Sequence, residues 1–148
     1  MALRVAIAND HGGFELKQKI LALLAELNLE HQDFGSHTEE SVDYPDYAFL
    51  VGSKVASEEF DRGILICGTG VGISIAANKV KGVRCALVHD VFTAKATRQH
   101  NDSNILAMGG RVIGDDHALM IVKTWLDEEF IGKHHIDRIN KISEFEAN

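Results

Sequence analysis

Short apolar runs alternate with helical patterns along the whole chain, and this alternation limits the fold more than any other feature. Val5-Ala6-Ile7-Ala8 leads into the polar, glycine-bearing turn Asn9-Asp10-His11-Gly12-Gly13. A helix is predicted next, with Phe14, Leu16, Ile20, Leu23, Leu24 and Leu27 mostly on one face. Residues 31–35 read as a weaker strand nearer a sheet edge. Residues 46–59 read as a second helix, with the single proline, Pro45, in a short polar connection before it. Residues 63–68 predict a third strand, nearly continuous in apolar residues at Ile64, Leu65 and Ile66. The turn Gly68-Thr69-Gly70-Val71-Gly72 then opens a helix that ends around Lys81-Gly82. Residues 83–88 predict a fourth strand, ending at His89-Asp90, and the helix after it closes near His100. Residues 105–108 predict a fifth strand before Gly109-Gly110. A long amphipathic helix follows, with Ala118, Ile121, Val122, Trp125 and Leu126 toward the core.

Strands that are apolar on both faces and separated by helices imply a parallel sheet covered on both sides. The expected fold is therefore a three-layer α/β sandwich, Rossmann-like, with a five-stranded, mainly parallel sheet. A C-terminal helix follows the sandwich, marked by Ile136, Ile139 and Ile142 at every third residue. Its apolar stripe can cover the domain itself or another subunit. The 148 residues suit one domain spanning 1–148, with no repeat or linker to divide it.

A formal charge of -7 argues against a broad basic surface for nucleic acid or anionic lipid. An anionic substrate would then need a local group of cations. The opening residues lack the apolar stretch of a signal peptide, and no run approaches the roughly 20 apolar residues that span a bilayer. Cys67 and Cys85 are the two cysteines, without CxxC spacing. Lone thiols of this kind suit a reducing, cytoplasmic setting.

In a doubly wound sheet, ligands bind beyond the carboxyl ends of the strands. The first strand ends in Asn9-Asp10-His11, the third in Cys67-Gly68-Thr69 and the fourth in His89-Asp90, so the polar chemistry collects on one rim. The turn at Gly68, Thr69, Gly70, Val71 and Gly72 presents main-chain N–H groups to one point and is expected to hold a phosphate or a transient oxyanion. Cys67 precedes this turn, where a thiol can serve as base or nucleophile or simply end an apolar strand. Cys85 reads as the latter. A nucleotide-binding turn stays open, with Asp90 placed as a ribose-binding acid. The spacing is nevertheless G-x-G-x-G, with Ile73 where G-x-G-x-x-G needs glycine. A phosphoacceptor switch would need aspartate where Cys67 stands.

Asn9-Asp10-His11-Gly12-Gly13 resembles the opening motif of ribose-5-phosphate isomerase type B. So do Ser41-Val42-Asp43-Tyr44-Pro45-Asp46-Tyr47, Ile66-Cys67-Gly68-Thr69-Gly70-Val71-Gly72-Ile73-Ser74 and His100-Asn101-Asp102. The resemblance runs in order along essentially the whole chain, and the same superfamily includes galactose-6-phosphate isomerase subunits and some allose-6-phosphate isomerases. It implies a metal-free aldose–ketose isomerase without a cofactor. Cys67 resembles the base that moves a proton between C1 and C2. Thr69 resembles the hydroxyl that relays protons between the oxygens, and the main chain from Gly68 through Gly72 the anion hole. His100, assisted by Asp10, resembles the opener of the furanose ring. Tyr44 and Asn101 resemble contacts to sugar hydroxyls, while His11 and Arg138 resemble phosphate ligands, with Arg111 near the substrate.

The resemblance also implies a homodimer, or two dimers as a tetramer, with the site built between subunits. The equivalents of His100 and Arg111 then come from the neighbour. One departure stands out. The family's Arg-His-x-x-Arg reads here His134-His135-Ile136-Asp137-Arg138, with Lys133 one position earlier. Arginine grips phosphate bidentately, and histidine offers a single pH-dependent contact. Either Lys133 supplies the missing charge, phosphate is held less tightly by His134, or the substrate differs, a six-carbon sugar phosphate being the alternative. His31, His37, His89 and His117 read as solvated or capping residues. No ligand spacing suggests a metal, since adjacent histidines such as His134 and His135 cannot readily chelate one ion.

Overall fold

The strand residues sort by parity onto two faces, and this explains how the chain packs. A computed structural model describes residues 2–148; residue 1 of the expected domain lies outside the described residues. Val5 and Ile7 of β1 (Arg4–Asn9) join Ile64 and Ile66 of β3 (Arg62–Cys67) in one core. Ala6, Ala8, Leu65 and Cys67 join a second core on the other face. Burial on both faces is what a parallel sheet requires, and all the strand pairs are parallel. The five strands lie in the order β2-β1-β3-β5-β4, with β2 at Glu30–Asp33, β4 at Cys85–Leu87 and β5 at Ile105–Gly109.

The first core takes Leu16, Ile20 and Leu24 from α1 (Phe14–Glu26), Ala94 from α4 (Val91–Asn101), and Ile121, Val122 and Trp125 from α5 (Asp115–Asp127). The second takes Ala48 and Val51 from α2 (Tyr44–Ala56) and Ile73 and Ala77 from α3 (Val71–Ala77). Each fully buried Ile or Leu contributes on the order of 1.5–3 kcal/mol by leaving water. The expected three-layer α/β, Rossmann-like sandwich is the observed architecture, with the sheet wholly parallel rather than mainly so. The expected C-terminal helix is α6 (His134–Ala147), which buries no residue fully.

Element bounds differ from the sequence reading by a few residues at several elements, α2, α3 and β4 among them. Pro45 lies in the first turn of α2, not in a connection before it, because that turn has no internal partner for the N–H that proline lacks. Helix α3 stops at Ala77, several residues early. The Asn78 amide turns to the edge strand instead, accepting from Cys85 N at 2.8 Å and donating to Cys85 O at 3.0 Å. Strand β4 is correspondingly short. Among the described residues no helix is long and apolar enough to cross a membrane.

The chain leaves β1 toward β2 and later returns to β3 on the other side of β1. This reversal opens a crevice beyond the carboxyl ends of β1 and β3. Asp10 follows β1 there, and Cys67 ends β3.

Candidate active site

Three rim loops meet backbone to backbone. Asp10 N donates to Ile66 O at 3.1 Å, Gly110 N to Cys67 O at 2.9 Å, and Arg111 N to Gly68 O at 3.0 Å. The loops after β1, β3 and β5 are thereby one unit. A Cβ on Gly12 would stand 2.7 Å from Gly68 N, and one on Gly110 would stand 2.5 Å from Gly12 O. Glycine is required because no side chain fits between these strands of backbone. Asp10 is buried, and its Oδ1 accepts from Gly12 N at 2.8 Å.

Cys67 sits where the second core meets this rim. It is 4% exposed, and its Sγ accepts from Gly70 N at 3.1 Å. Gly70 adopts φ +79°, a left-handed conformation that turns its N–H back onto the sulfur. Thr69, on the exposed side of the turn, accepts from Val71 N through Oγ1 at 3.2 Å. The anion-hole expectation is narrowed accordingly. Two of its main-chain donors, Gly70 and Val71, are already engaged by the turn's own Cys67 and Thr69 side chains.

Other expected contacts gather around the same turn. Tyr44 packs on Gly72, where an added Cβ would come within 2.6 Å of the phenol ring. His11 Nδ1 accepts from Val42 N at 3.2 Å, which fixes its proton on Nε2 and leaves that nitrogen as the donor. Arg111 lies against Gly68, its Nη1 3.1 Å from where a Cβ would be. His11, Gly12, Gly110 and Arg111 line a groove of about 640 Å³. Arg111 therefore stands on the same rim as Cys67 of its own chain. The physical reason is the ladder of bonds from Gly110 and Arg111 to the loop after β3.

His100, Asn101, His134 and Arg138 are not at this rim. Helix α4 starts at the carboxyl rim with Asp90 as N-cap and runs back along the sheet for 11 residues, about 16 Å. It ends beside Arg84, whose Nε donates to Asn101 O at 3.1 Å just ahead of β4. His100 and Asn101 are thus at the amino end of the strands, where α6 crosses. There His100, Asn101, His135 and Arg138 line a separate groove of about 700 Å³. The His100 ring stacks on His135 with centroids 4.4 Å apart and planes within 14°. His134 packs on His135 at 4.1 Å. One chain therefore carries the expected site in two halves at opposite ends of the sheet.

The remaining residues have structural roles. Asp90 caps α4, accepting from Thr93 N at 2.7 Å and Thr93 Oγ1 at 2.8 Å, so its carboxylate is committed and unsuited to a ribose. Burial pushes the Cys85 thiol up to about 12, consistent with an inert strand residue. His89, read as solvated or capping, instead accepts from Gly109 N through Nε2 at 2.9 Å and pins the end of β5. Desolvation holds it below the ordinary histidine range, partly opposed by Asp90. Its position at a strand end was the available signal. Lys17 is a residue that the sequence reading did not single out. It is fully buried and donates to Asp33 Oδ1 at 3.0 Å and Ser36 O at 2.6 Å, bracing the loop after β2. Among the described residues no group of three His, Cys, Asp or Glu side chains is placed to hold a metal ion.

A Rossmann-like α/β fold with a thiol, a carboxylate and an imidazole at its switch point is the build of an acid–base enzyme. The chain belongs to the Ribose/Galactose Isomerase family, whose family model matches residues 5–142. It is 48% identical to ribose-5-phosphate isomerase B of Escherichia coli over 143 residues, which is 97% of this chain and 96% of that one. The structure of the Clostridium thermocellum ribose-5-phosphate isomerase B superposes with a TM-score of 0.97 at 52% identity, covering 98% of both chains. The Mycoplasma genitalium ribose-5-phosphate isomerase B with bound ribulose-5-phosphate superposes with a TM-score of 0.96 at 43% identity. That match covers 100% of this chain and 99% of the other.

Proposed function

We propose that this chain, as one domain, interconverts ribose 5-phosphate and ribulose 5-phosphate by proton transfer through an enediolate. The observation that carries the reading is the Cys67 sulfur. It lies on the β1–β3 crevice, is held by Gly70 N–H at 3.1 Å, and has Asp10 and Arg111 on the loops bonded to its own. The Mycoplasma genitalium relative, similar along the full chain, is named with bound ribulose-5-phosphate.

In the forward direction the furanose first opens. His100 takes the proton of the ring hemiacetal hydroxyl and returns one to the departing ring oxygen, with Asp10 assisting at the sugar. The Cys67 thiolate then removes the C2 proton, and the electron pair moves into a C1–C2 double bond as charge builds on O1. Main-chain donors of the 68–72 turn other than the engaged Gly70 and Val71 stabilise that charge, and the Thr69 hydroxyl carries a proton from O2 to O1. Cys67 returns its proton to C1, which gives the ketose and restores the thiolate. Tyr44 and Asn101 bind sugar hydroxyls. His11 and Arg138 hold the phosphate, with His134 in place of a second arginine, and Arg111 lies near the substrate. No cofactor or metal has a part in these steps.

The two half-sites lie at opposite ends of one chain, which favours a homodimer in which the His100 end of one subunit meets the Cys67 rim of the other. Exposed Val71, Ile75 and Leu87 around that rim offer apolar surface for such a contact. A cytoplasmic setting suits the two unbridged cysteines. The test is solvent-proton exchange at C2 over a panel of five- and six-carbon aldose phosphates. Ribose 5-phosphate should exchange fastest, and preference for a six-carbon sugar would replace this reading.

A further inference from the structure

His100 ends α4 exposed to solvent, on a side chain with two freely rotating bonds. What meets its ring is the face of His135. His135 is half-buried, while His100 and His134 are exposed and both pack against it. The chain around it is tied down at two points. Ile131 N donates to Gln99 O at 3.1 Å, which joins the approach to α6 with the last turn of α4. At the far end of α6, Glu146 Oε2 accepts from Gly82 N at 3.0 Å. The ring of His135 is therefore presented to His100 by a helix fixed at both ends.

A histidine that gives and takes protons is commonly oriented by a hydrogen bond to one ring nitrogen, and that bond sets its tautomer. A face contact works differently. It fixes the plane of the ring and leaves Nδ1 and Nε2 both pointing outward in that plane. An opener of a furanose needs both states of the ring, since it takes one proton and returns one.

We propose that His135 is a positioning residue for His100, holding that imidazole by ring stacking at the angle at which it meets the bound furanose. The inference rests on the reading above, in which His100 opens the ring. The charges around the pair agree with it. Desolvation first, then His134, His100 and Arg138, hold His135 below the ordinary histidine range, so a neutral ring faces His100 at neutral pH. Other charged groups nearby are committed elsewhere. Arg98 of α4 binds Asp102 and Ser103 O, Arg84 ahead of β4 binds Asp102, and Glu146 of α6 binds Gly82 N.

The two directions of the reaction separate this role from general damage. Ribulose 5-phosphate carries its phosphate on the hydroxyl that would close a furanose, so it is open-chain and needs no ring opening. Exchange of its C1 proton with deuterated solvent reports the base at Cys67. Turnover of ribose 5-phosphate reports ring opening as well. His135→Ala should lower kcat for ribose 5-phosphate by about 10- to 100-fold with KM nearly unchanged. The same variant should keep C1 exchange from ribulose 5-phosphate within about 2-fold, because the exchange step does not use the His100 orientation. His135→Phe keeps a flat ring without a titratable nitrogen and should restore most of the lost kcat. Normal ribose 5-phosphate turnover in His135→Ala would overturn the proposal. So would equal loss of both reactions, or a Phe variant as impaired as the Ala variant. If the unaltered chain fails to exchange the ketose proton, the isomerase reading itself falls and takes this inference with it, a failure visible without any His135 variant.

Discussion

Gly12 and Gly68 lie backbone against backbone, so close that a Cβ on Gly12 would stand 2.7 Å from the Gly68 nitrogen. The loop that carries Asp10 is thereby seated directly on the loop that follows Cys67. A methyl group here meets main chain, which cannot swing aside as the tip of a flexible side chain can. Gly12→Ala should cost about 1–3 kcal/mol of stability, the usual range for overpacking a closely fitted site. It should also lower activity by moving Asp10 away from Cys67. Urea unfolding and steady-state kinetics on the same sample check both. An unchanged midpoint would show that the two loops are not a rigid unit.

Cys67 contributes to the second core as well as to the rim, so its replacement must separate chemistry from packing. Cys67→Ser changes one atom of a nearly buried side chain and keeps a group that can accept from Gly70 N. It should unfold close to the unaltered chain and bind ribose 5-phosphate with similar affinity. Proton exchange at C2 should nevertheless fall by about 10²–10⁴-fold, the usual worth of a placed base. Calorimetric binding together with deuterium exchange reads both quantities. Exchange at the normal rate would remove the thiol from the mechanism.

These two expectations depend on features that the sequence displays unequally. Strands β1, β3 and β5 are legible because their residues are apolar at successive positions, which only a sheet covered on both faces demands. The edge strand β2, Glu30-His31-Gln32-Asp33, is polar and reads weakly for the same reason. The early end of α3 is not legible, because Asn78 ends it by bonding to a strand seven residues on. Cys67, Asp10 and the glycine turn are legible as a site because strand ends share a rim. The place of His100 is not, since its distance from Cys67 depends on the direction in which α4 runs and on where β4 lies in the sheet. His89 escapes notice because its partner, Gly109 N–H, is a main-chain group with no mark in the sequence.

His89 gives a pH prediction whose sign follows from its surroundings. Desolvation favours the neutral ring in the folded chain, with Asp90 opposing, so its folded pKa lies below the ordinary 6.5. The unfolded chain then binds a proton more readily, and stability falls as pH drops below about 6.5 toward the folded value. Protonated Nε2 also cannot accept from Gly109 N. In His89→Gln the amide oxygen can accept the same bond and does not titrate. The loss of melting temperature between pH 6.5 and 5 should therefore be shallower in the variant. His135, shifted in the same direction, leaves part of the slope in place. Identical acid-side slopes would show that His89 does not bind Gly109 through a neutral nitrogen.

The separation of His100 from Cys67 within one chain leads to a mixing experiment. If each complete site takes its rim from one subunit and its His100 end from the other, Cys67→Ala and His100→Ala homodimers each lack an essential group in every site. Unfolding and refolding them together in equal amounts forms mixed dimers. One site of a mixed dimer combines both lesions, and the other combines the intact Cys67 of one chain with the intact His100 of its partner. Random pairing makes about half the dimers mixed, so about a quarter of all sites should be whole. Activity near a quarter of the unaltered value should then appear in a mixture of two nearly inactive proteins. It should grow as subunits exchange and be absent when the two are mixed without refolding under conditions that prevent exchange. A site completed within one chain allows no such recovery, because neither parent contributes a chain that carries both groups. Recovery thus depends on α4 carrying His100 to the end of the sheet opposite Cys67, which a partner subunit must then bring back to the rim.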